Sequence, residues 1–168
     1  MKISLLISLL FISYLLPAQN ISKETTTIIL FRHAEAPTTS SDPRNPDLSE
    51  AGMERAKRLT SLLSDLIIDE CYSTPLKRTQ QTIQFIAAQR GQVTKEYDPR
   101  ALPAFADALR QSAGKTILVA GHSNTTPTLV NLLIGEERYR QLHESEFGKI
   151  WMLTFINGKL AQTVVLNY

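Results

Sequence analysis

Residues 25–35 read TTTIILFRHAE, a run of β-branched and apolar residues that ends in an arginine and a histidine. Continuous apolarity of this kind is typical of a strand that is covered on both faces, as in the parallel sheets of α/β proteins. The run predicts a central strand from Thr25 to Phe31. Arg32 and His33 then stand at the carboxyl end of that strand, the edge where open α/β sheets bind their ligands.

Strand and helix patterns alternate along the rest of the chain. Short runs rich in apolar and β-branched residues predict further strands at residues 70–73, 93–97 and 115–120. Apolar residues that recur every three or four positions predict helices at residues 49–64, 75–90, 101–112 and 123–134. Because strands that alternate with helices form right-handed βαβ units, this order predicts a mostly parallel sheet.

The end of the chain has a different pattern. Asn157 and Gly158 separate two apolar runs, and this dipeptide is favoured in a two-residue type I′ hairpin turn. We therefore expect a single α/β domain over residues 19–168. Its predicted architecture is a three-layer αβα sandwich with a mostly parallel central sheet and a C-terminal antiparallel hairpin.

Composition limits the classes of protein to consider. A chain of 168 residues that is 43% hydrophobic can build one sizeable core. The net charge is only +2, without the polybasic tail or acidic block that would indicate a nucleic acid or lipid partner. Cys71 is the only cysteine, so an internal disulfide is excluded, and its apolar surroundings favour a small core residue over a catalytic thiol.

The first residues, MKISLLISLLFISYLLPAQN, resemble a secretory signal peptide. Lys2 is followed by an apolar run of 14 residues, shorter than the ~20 that a membrane-spanning helix needs. Pro17 and the small residue Ala18 then provide a cleavage site. We expect residues 1–18 to be removed and the mature protein to be periplasmic or secreted, without stable membrane insertion; an uncleaved anchor or a buried first element are the alternatives.

Three separate junctions between predicted elements carry basic residues. Arg32 and His33 follow the first strand, Arg78 lies in the first turn of the helix after strand 70–73, and His122 follows strand 115–120. If the first and fourth strands are neighbours, both imidazoles lie at one edge of the sheet. A phosphoryl group fits this set, because each guanidinium can bind two of its oxygens and a neutral imidazole can act as the nucleophile. Nearby positive charge favours that neutral form.

Each of these residues also has an ordinary structural interpretation. Arg32 and His33 could be an ion-pairing arginine beside a buried histidine, Arg78 a solvated charge, and His122 part of a plain turn. Their joint occurrence favours an anion site. His143 is expected in an exposed loop or at the rim of the site. Lys77 and Arg55 are taken as solvated charges, and no ligand spacing predicts a metal site.

Four segments resemble the histidine phosphatase superfamily, which has a phosphoglycerate mutase-like fold. They are FRHAE, DLSEAGMERAKRL, YSTPLKRTQQT and VAGHSN, in the order that the family shows. The short chain is most similar to the phosphohistidine phosphatase branch. The resemblance implies that His33 is phosphorylated and that Arg32, Arg78 and His122 hold the transferring phosphoryl group. Water then hydrolyses the phosphohistidine, with no metal or cofactor. Asn124 and Ser123 are expected to add hydrogen bonds.

Two features depart from the family pattern. Ala34 replaces the glycine that follows the histidine in many members, and the acid that protonates the leaving group has no clear counterpart. Asp98 and Asp107 lie in the appropriate stretch, and Glu35 could serve either the substrate loop or an arginine. Substrates with good leaving groups are therefore favoured.

The sequence thus predicts a metal-independent phosphatase that hydrolyses phosphomonoesters or phosphoramidates, with a phosphorylated small molecule or a phosphoprotein as substrate. A phosphate-binding module of the same fold with little turnover is the alternative. A phosphomutase is a weaker one, because the chain lacks long insertions that would exclude water from the site.

Overall fold

The computed structural model describes residues 24–168, so the predicted signal peptide lies outside the described residues. These residues form strands and helices in the following order: β1 (Thr25–Arg32), α1 (Glu50–Leu62), β2 (Glu70–Ser73), α2 (Lys77–Gln89), β3 (Thr94–Glu96), α3 (Leu102–Arg110), β4 (Thr116–Gly121), α4 (Thr125–Ile134), β5 (Lys149–Ile156) and β6 (Lys159–Asn167). Within this part of the chain, no helix is both long and apolar enough to cross a membrane.

The strands form one sheet in the order β3-β2-β4-β1-β5-β6. The pairs β3–β2, β2–β4 and β4–β1 are parallel, whereas β1–β5 and β5–β6 are antiparallel. Asn157 and Gly158 join the last two strands with φ angles of 50° and 74°, the left-handed conformations that a type I′ turn requires. The predicted mostly parallel sheet and the C-terminal antiparallel hairpin are therefore confirmed.

Strand β1 lies in the middle layer, with helices packed on both of its faces. Its side chains alternate between the faces: Ile28 and Leu30 pack with apolar residues of α3 and α4, and Ile29 and Phe31 with those of α1 and α2. Both sides of the strand are buried, so an alternating polar pattern is absent from its sequence. Cys71 on β2 is fully buried in the second of these clusters, and burial raises the pKa of its thiol to about 11, as expected for a core cysteine.

Helix boundaries differ slightly from the prediction. Helix α2 begins at Lys77 rather than Pro75, because Leu76 remains extended with φ −88° and ψ 138°. Helix α3 ends at Arg110, two residues short of the predicted end. Strand β3 has only three residues, since it pairs with β2 alone, at the edge of the sheet.

The start of α1 is fixed against the loop that follows β1. The Ser49 hydroxyl accepts a hydrogen bond from the Gly52 N–H and donates one to the Glu35 carbonyl. The Ser49 N–H donates to that same carbonyl, at 2.9 Å. A Cβ at Gly52 would lie 2.1 Å from the Glu35 oxygen, so only glycine permits this approach. The contact places Glu35, two residues beyond His33, at a fixed position beside the sheet edge.

Candidate active site

Pairing between β1 and β4 brings the two predicted histidines together. Arg32 lies opposite Gly121 in the parallel register, and the His33 N–H donates to the Gly121 carbonyl at 2.9 Å. The imidazole rings of His33 and His122 consequently lie with centroids 5.4 Å apart, at an interplanar angle of 66°. The expectation that the first and fourth strands are neighbours is met.

The hydrogen bonding of His33 defines its tautomer. Its Nδ1 lies 2.7 Å from the carbonyl oxygen of Ala34, and a carbonyl can only accept. Nδ1 therefore carries the proton and donates it. In a neutral ring the other nitrogen, Nε2, then has the free lone pair. No residue in the described range 24–168 makes a hydrogen bond to Nε2, so it is available to an electrophile.

Both histidines are held in the neutral state. Burial lowers the pKa of His33 to about 3 against a smaller opposing effect of its bond to Ala34, and the neighbouring cationic groups lower it further. For His122 the pKa is about 4, because of burial and of the charges on Arg78 and Arg32. At neutral pH each ring can therefore offer a lone pair.

Threonine hydroxyls orient His122. Its Nε2 lies 2.9 Å from the Thr74 hydroxyl, which is 2.8 Å from the hydroxyl of Thr79. Thr79 is fully buried in the first turn of α2, and its hydroxyl also donates to nearby backbone carbonyls. The loop between β2 and α2 therefore fixes the ring that β4 delivers. Thr74 lies inside the segment YSTPLKRTQQT, but residue type and spacing gave no sign that it contacts a histidine.

Arg78 supplies a cation without a partner. It is half-buried in the first turn of α2, and no carboxylate of residues 24–168 lies within 4.0 Å of it. The N-cap residue of α4, Asn124, makes no side-chain cap bond, so first-turn N–H groups of α4 can donate to a ligand, whereas at α2 the Lys77 N–H already donates to the Asn45 side chain at 2.8 Å. Such an arrangement favours a bound anion.

The Arg32 side chain is bound by backbone carbonyls of an irregular segment between α4 and β5. The side chain is only 4% exposed, and its Nη1 donates to the carbonyl oxygens of His143, Glu144 and Glu146 at 2.9–3.1 Å. Its Nη2 contacts the Glu144 carboxylate at 3.3 Å, and the Phe147 ring centroid lies 4.1 Å from the guanidinium carbon. We refer to residues 143–147 as the arginine clasp. Within the described residues, the Nη2 and Nε atoms of Arg32 have no backbone partner.

These groups surround an open pocket of about 750 Å³. Of the residues predicted from the sequence, the following line it: Arg32, His33, Glu35, Arg78, His122, Ser123 and Asn124. Asn124 is exposed at the start of α4. His143 is exposed and does not line the pocket; it contributes its carbonyl to the arginine clasp, and its ring bonds to Ser145.

A family model described as the histidine phosphatase superfamily, branch 1, matches residues 28–100. The matched range begins in β1 and contains four of the five basic residues that line the pocket, all except His122. The match spans 73 of the 168 residues, so this part of the chain is similar to that superfamily. The resemblance found in the sequence is thereby confirmed.

A curated relative with a sequence match is phosphoserine phosphatase 1 of Hydrogenobacter thermophilus, which is 43% identical over 74 residues. The match covers 41% of this chain and 35% of the relative, so the chain spans about a third of the curated relative's length.

Solved structures with the same fold include members with different activities. The protein histidine phosphatase SixA, solved with tungstate, has a TM-score of 0.65 at 16% identity, covering 84% of this chain and 96% of that one. A phosphoserine phosphatase mutant from Entamoeba histolytica in complex with phosphoserine also has a TM-score of 0.65 at 16% identity, covering 84% and 95%. Phosphoglycerate mutase from Bacillus anthracis has a TM-score of 0.61 at 14% identity, covering 87% and 93%. These likenesses show the fold of the superfamily.

The carboxylates that line the pocket differ from those considered in the sequence. Asp98 is exposed and pairs with Arg100, and Asp107 lies on α3 and pairs with Arg110; neither lines the pocket. Glu35 and Glu144 line it instead. Glu144, Phe147 and Arg100 were not anticipated, because they lie in irregular segments where no periodic pattern or motif marks them.

Arg55 was taken as a solvated charge, and the structure corrects this. Its guanidinium binds both carboxylate oxygens of Glu35 at 2.7–2.9 Å and donates to the Tyr168 carbonyl. Burial acts to raise the pKa of Glu35, but the hydrogen bonds from Arg55 hold it below its ordinary value. Glu35 is thus ionised and engaged, which answers the question that the sequence left open about its partner.

No group of three or more His, Cys, Asp or Glu side chains among residues 24–168 is arranged to hold a metal ion. The pocket presents imidazoles and guanidiniums. The neutral His33 ring, with its free lone pair on Nε2, lines this pocket together with Arg78, whose positive charge favours a bound anion.

Proposed function

We propose that the protein is a phosphatase that transfers a phosphoryl group from a phosphomonoester or phosphoramidate to His33 and then to water. The observation that carries the proposal is the state of His33. Its Nδ1–H is bonded to Ala34, so the free lone pair is on Nε2. That ring lines a pocket together with Arg78, whose charge has no carboxylate partner in the described chain. The match to the histidine phosphatase family model and the similarity to a phosphatase support the same conclusion.

In the first step the Nε2 lone pair of His33 attacks phosphorus and forms a P–N bond. The bond from phosphorus to the leaving oxygen or nitrogen breaks, and the leaving group takes that electron pair. Phosphoryl transfer has a loose transition state, so catalysis depends mainly on positioning and on charge stabilisation of the peripheral oxygens. Arg78 and the Nη2 of Arg32 provide that charge, with the incoming phosphoryl group replacing the Glu144 carboxylate at Nη2.

In the second step a water oxygen attacks the phosphoryl group of phospho-His33. The P–N bond breaks, its electron pair returns to Nε2, and inorganic phosphate leaves after the water has lost a proton to solvent. The Nδ1–H of His33 stays bonded to the Ala34 carbonyl throughout, which keeps the ring in one orientation. The open pocket gives water access to the intermediate.

The pocket favours substrates whose leaving group departs without help from a strong acid. Its two carboxylates, Glu35 and Glu144, each pair with an arginine, at 2.7 Å to Arg55 and at 3.3 Å to Arg32, so neither is placed as a free acid beside the leaving group. Phosphoramidates and aryl phosphates meet this requirement better than alkyl phosphates. A phosphohistidine-type substrate agrees with the likeness to SixA, and phosphoserine, named for two relatives, would be the harder substrate.

The same lack of a proton donor favours a second candidate function. A pocket lined by three arginines could capture a phosphorylated ligand and release it unchanged. Turnover distinguishes this phosphate-binding module from the enzyme. A phosphomutase is less favoured, because it must rebind its intermediate before water attacks, whereas this pocket is open.

We also propose that the protein acts after export. The support is the sequence of residues 1–20, with its lysine, short apolar run and small residue at position 18. The mass of the protein recovered from a periplasmic or culture fraction tests this proposal: a chain beginning at Gln19 is expected, and a full-length mass would contradict cleavage.

The decisive experiment for the enzyme is rapid-mixing hydrolysis of p-nitrophenyl phosphate and phosphoramidate, with intact-mass detection of a phosphoprotein. We expect an acid-labile adduct of one phosphoryl group that forms faster than steady-state turnover. His33→Ala should lose both the adduct and the activity. His143→Ala is the matched control, since it removes an exposed imidazole while its backbone carbonyl still binds Arg32.

Either of two outcomes would count against the enzyme. A folded His33→Ala protein with wild-type turnover would exclude His33 as the nucleophile. A wild-type protein that binds inorganic phosphate but shows neither turnover nor adduct would support the binding module.

A further inference from the structure

A second cavity, of about 330 Å³, lies on the other side of the segment that forms the arginine clasp. Arg138, Arg140, Lys149, Glu146, Tyr139 and Trp151 line it. We call it the basic pocket. It shares no lining residue with the His33 pocket.

Positive charge dominates the basic pocket. It has three cationic side chains against the single carboxylate of Glu146. That carboxylate is already engaged, accepting from the His143 N–H at 2.7 Å and from Lys149 at 3.4 Å. No carboxylate of residues 24–168 lies within 4.0 Å of Arg138 or Arg140. The two guanidiniums are therefore available to an added anion.

The backbone that carries these arginines is held in place. The Asn131 side chain accepts from the N–H groups of Arg138 and Tyr139 and donates to the Tyr139 carbonyl, at 2.8–3.2 Å. The Leu142 N–H donates to the Ser123 carbonyl at 2.9 Å. A site whose backbone is fixed in advance loses less entropy on binding than a pair of arginines on a flexible loop.

Aromatic rings form one wall of the basic pocket. Tyr139 and Trp151 pack edge to face with centroids 5.7 Å apart, and Trp151 is only 1% exposed. The Trp151 indole N–H has no acceptor among the described residues. Lys149 lies with its Nζ 5.9 Å from the Trp151 ring centroid. The wall gives a ligand an apolar surface beside the cationic groups.

We propose that the basic pocket is a second anion-binding site, for a small molecule that carries a phosphate group. Guanidiniums that line one cavity can donate to the oxygens of a tetrahedral dianion, and a cavity of this volume is near the lower end for small-molecule sites. Exposed arginines on a loop are often merely solvated. Here they border a cavity with a buried aromatic wall and an already neutralised carboxylate, which distinguishes them from solvated surface charges. The shared chemistry fits inorganic phosphate and small organic phosphates.

Trp151 is the single tryptophan of the chain, so its fluorescence reports on this pocket. The experiment titrates the full protein carrying Arg78→Ala, which weakens anion binding at the His33 pocket, with inorganic phosphate or with phenylphosphonate at constant ionic strength. We expect a saturable change in Trp151 fluorescence with both probes. If the pocket takes an organic phosphate, phenylphosphonate binds several-fold more tightly; if it takes free phosphate, the two bind alike.

Variants of the lining cations test the assignment. Adding Arg138→Ala and Arg140→Ala should weaken binding at least tenfold, and Arg140→Gln alone should weaken it less. Lys57→Ala with Lys159→Ala removes the same charge from exposed sites elsewhere and should leave binding unchanged. The proposal is overturned if no saturable signal appears, or if the double arginine variant binds as tightly as the lysine control.

Discussion

Under the proposed function, Arg78 is the side chain whose shape matters most for phosphoryl binding. Its planar guanidinium can bind two phosphoryl oxygens at once, whereas a lysine ammonium acts as a point charge. We predict that Arg78→Lys lowers kcat/KM by roughly 100- to 1,000-fold, on the scale of about 2.7–4 kcal/mol for one lost preorganised donor. Steady-state kinetics with p-nitrophenyl phosphate provide the measurement.

Arg58→Lys is the matched control, because Arg58 is exposed on α1 and does not line the pocket. It should retain wild-type kcat/KM. An Arg78→Lys kcat/KM within a few-fold of wild type would mean that the Arg78 guanidinium does not bind two phosphoryl oxygens at once.

The buried His33 and the half-buried His122 also make folding stability depend on pH. Their pKa values, about 3 for His33 and about 4 for His122, lie below the ordinary 6.5 of an unfolded chain. Below pH 6.5 the unfolded state therefore binds more protons than the native state, and stability falls as the pH falls. The loss approaches ~1.4 kcal/mol per pH unit for each histidine that stays neutral in the native state.

Urea unfolding at pH 7.5, 6.0 and 5.0 measures this slope. We expect wild-type stability to decline from pH 6.5 downward, and His122→Asn to show a shallower decline. His143→Asn should behave as wild type, since His143 is exposed. A stability that does not change between pH 7.5 and 5.0 would show that the histidines are not held neutral.

At the scale of elements, the contact between α1 and the loop after β1 depends on Gly52. A Cβ at this position would lie 2.1 Å from the Glu35 carbonyl oxygen, so the helix or the loop must move. We predict that Gly52→Ala destabilises the protein by ~1–3 kcal/mol, the usual range for overpacking, despite the better helix propensity of alanine. It should also lower activity, because Glu35 follows His33 closely.

Urea midpoints give the stability change, with Ser61→Ala as the control at an exposed position of α1. That control should be neutral or slightly stabilising. Gly52→Ala with unchanged stability and activity would show that the Glu35 backbone can shift at no cost.

Elements whose patterns are local were predictable from the sequence. The apolar run in β1 identified a strand covered on both faces, and Arg32 and His33 followed it at the sheet edge. The Asn157–Gly158 turn was predictable because its left-handed φ angles need those residue types. The start of α2 was misplaced by two residues, since an extended Leu76 after Pro75 has no distinctive signature.

The arginine clasp could not be predicted, and the reason is physical. It contacts Arg32 mainly through the carbonyls of residues 143, 144 and 146, which every amino acid possesses. Its residues show neither helical nor strand periodicity, and they are more than 100 positions from Arg32 in the chain. Similarly, the pairing of Arg55 with Glu35 depends on how α1 packs, which its sequence pattern does not reveal.

For the molecule as a whole, the pairing of both pocket carboxylates with arginines bears on which substrates the proposed phosphatase would turn over. Proton donation typically contributes about 100- to 10,000-fold to a rate. We predict that kcat/KM for a series of aryl and alkyl phosphates falls steeply as the pKa of the leaving group rises, by at least ~100-fold between p-nitrophenyl and ethyl phosphate.

Glu144→Gln tests the assumption behind this prediction. Glu144 contacts Arg32 as a carboxylate, so its replacement should not lower turnover of either substrate. A selective loss of ethyl phosphate hydrolysis in Glu144→Gln would instead identify Glu144 as the proton donor. A shallow dependence on the leaving group in the wild-type protein would also contradict the prediction.

The arginine clasp has a consequence for how this chain can diverge over evolutionary time. Arg32 is oriented by main-chain oxygens, and substitutions at His143 or Glu146 that preserve the path of the backbone retain those oxygens. Mutations can therefore accumulate in this loop without displacing the guanidinium. Distant homologues can therefore keep these backbone hydrogen bonds to the arginine even when no residue of the loop is identical between their sequences.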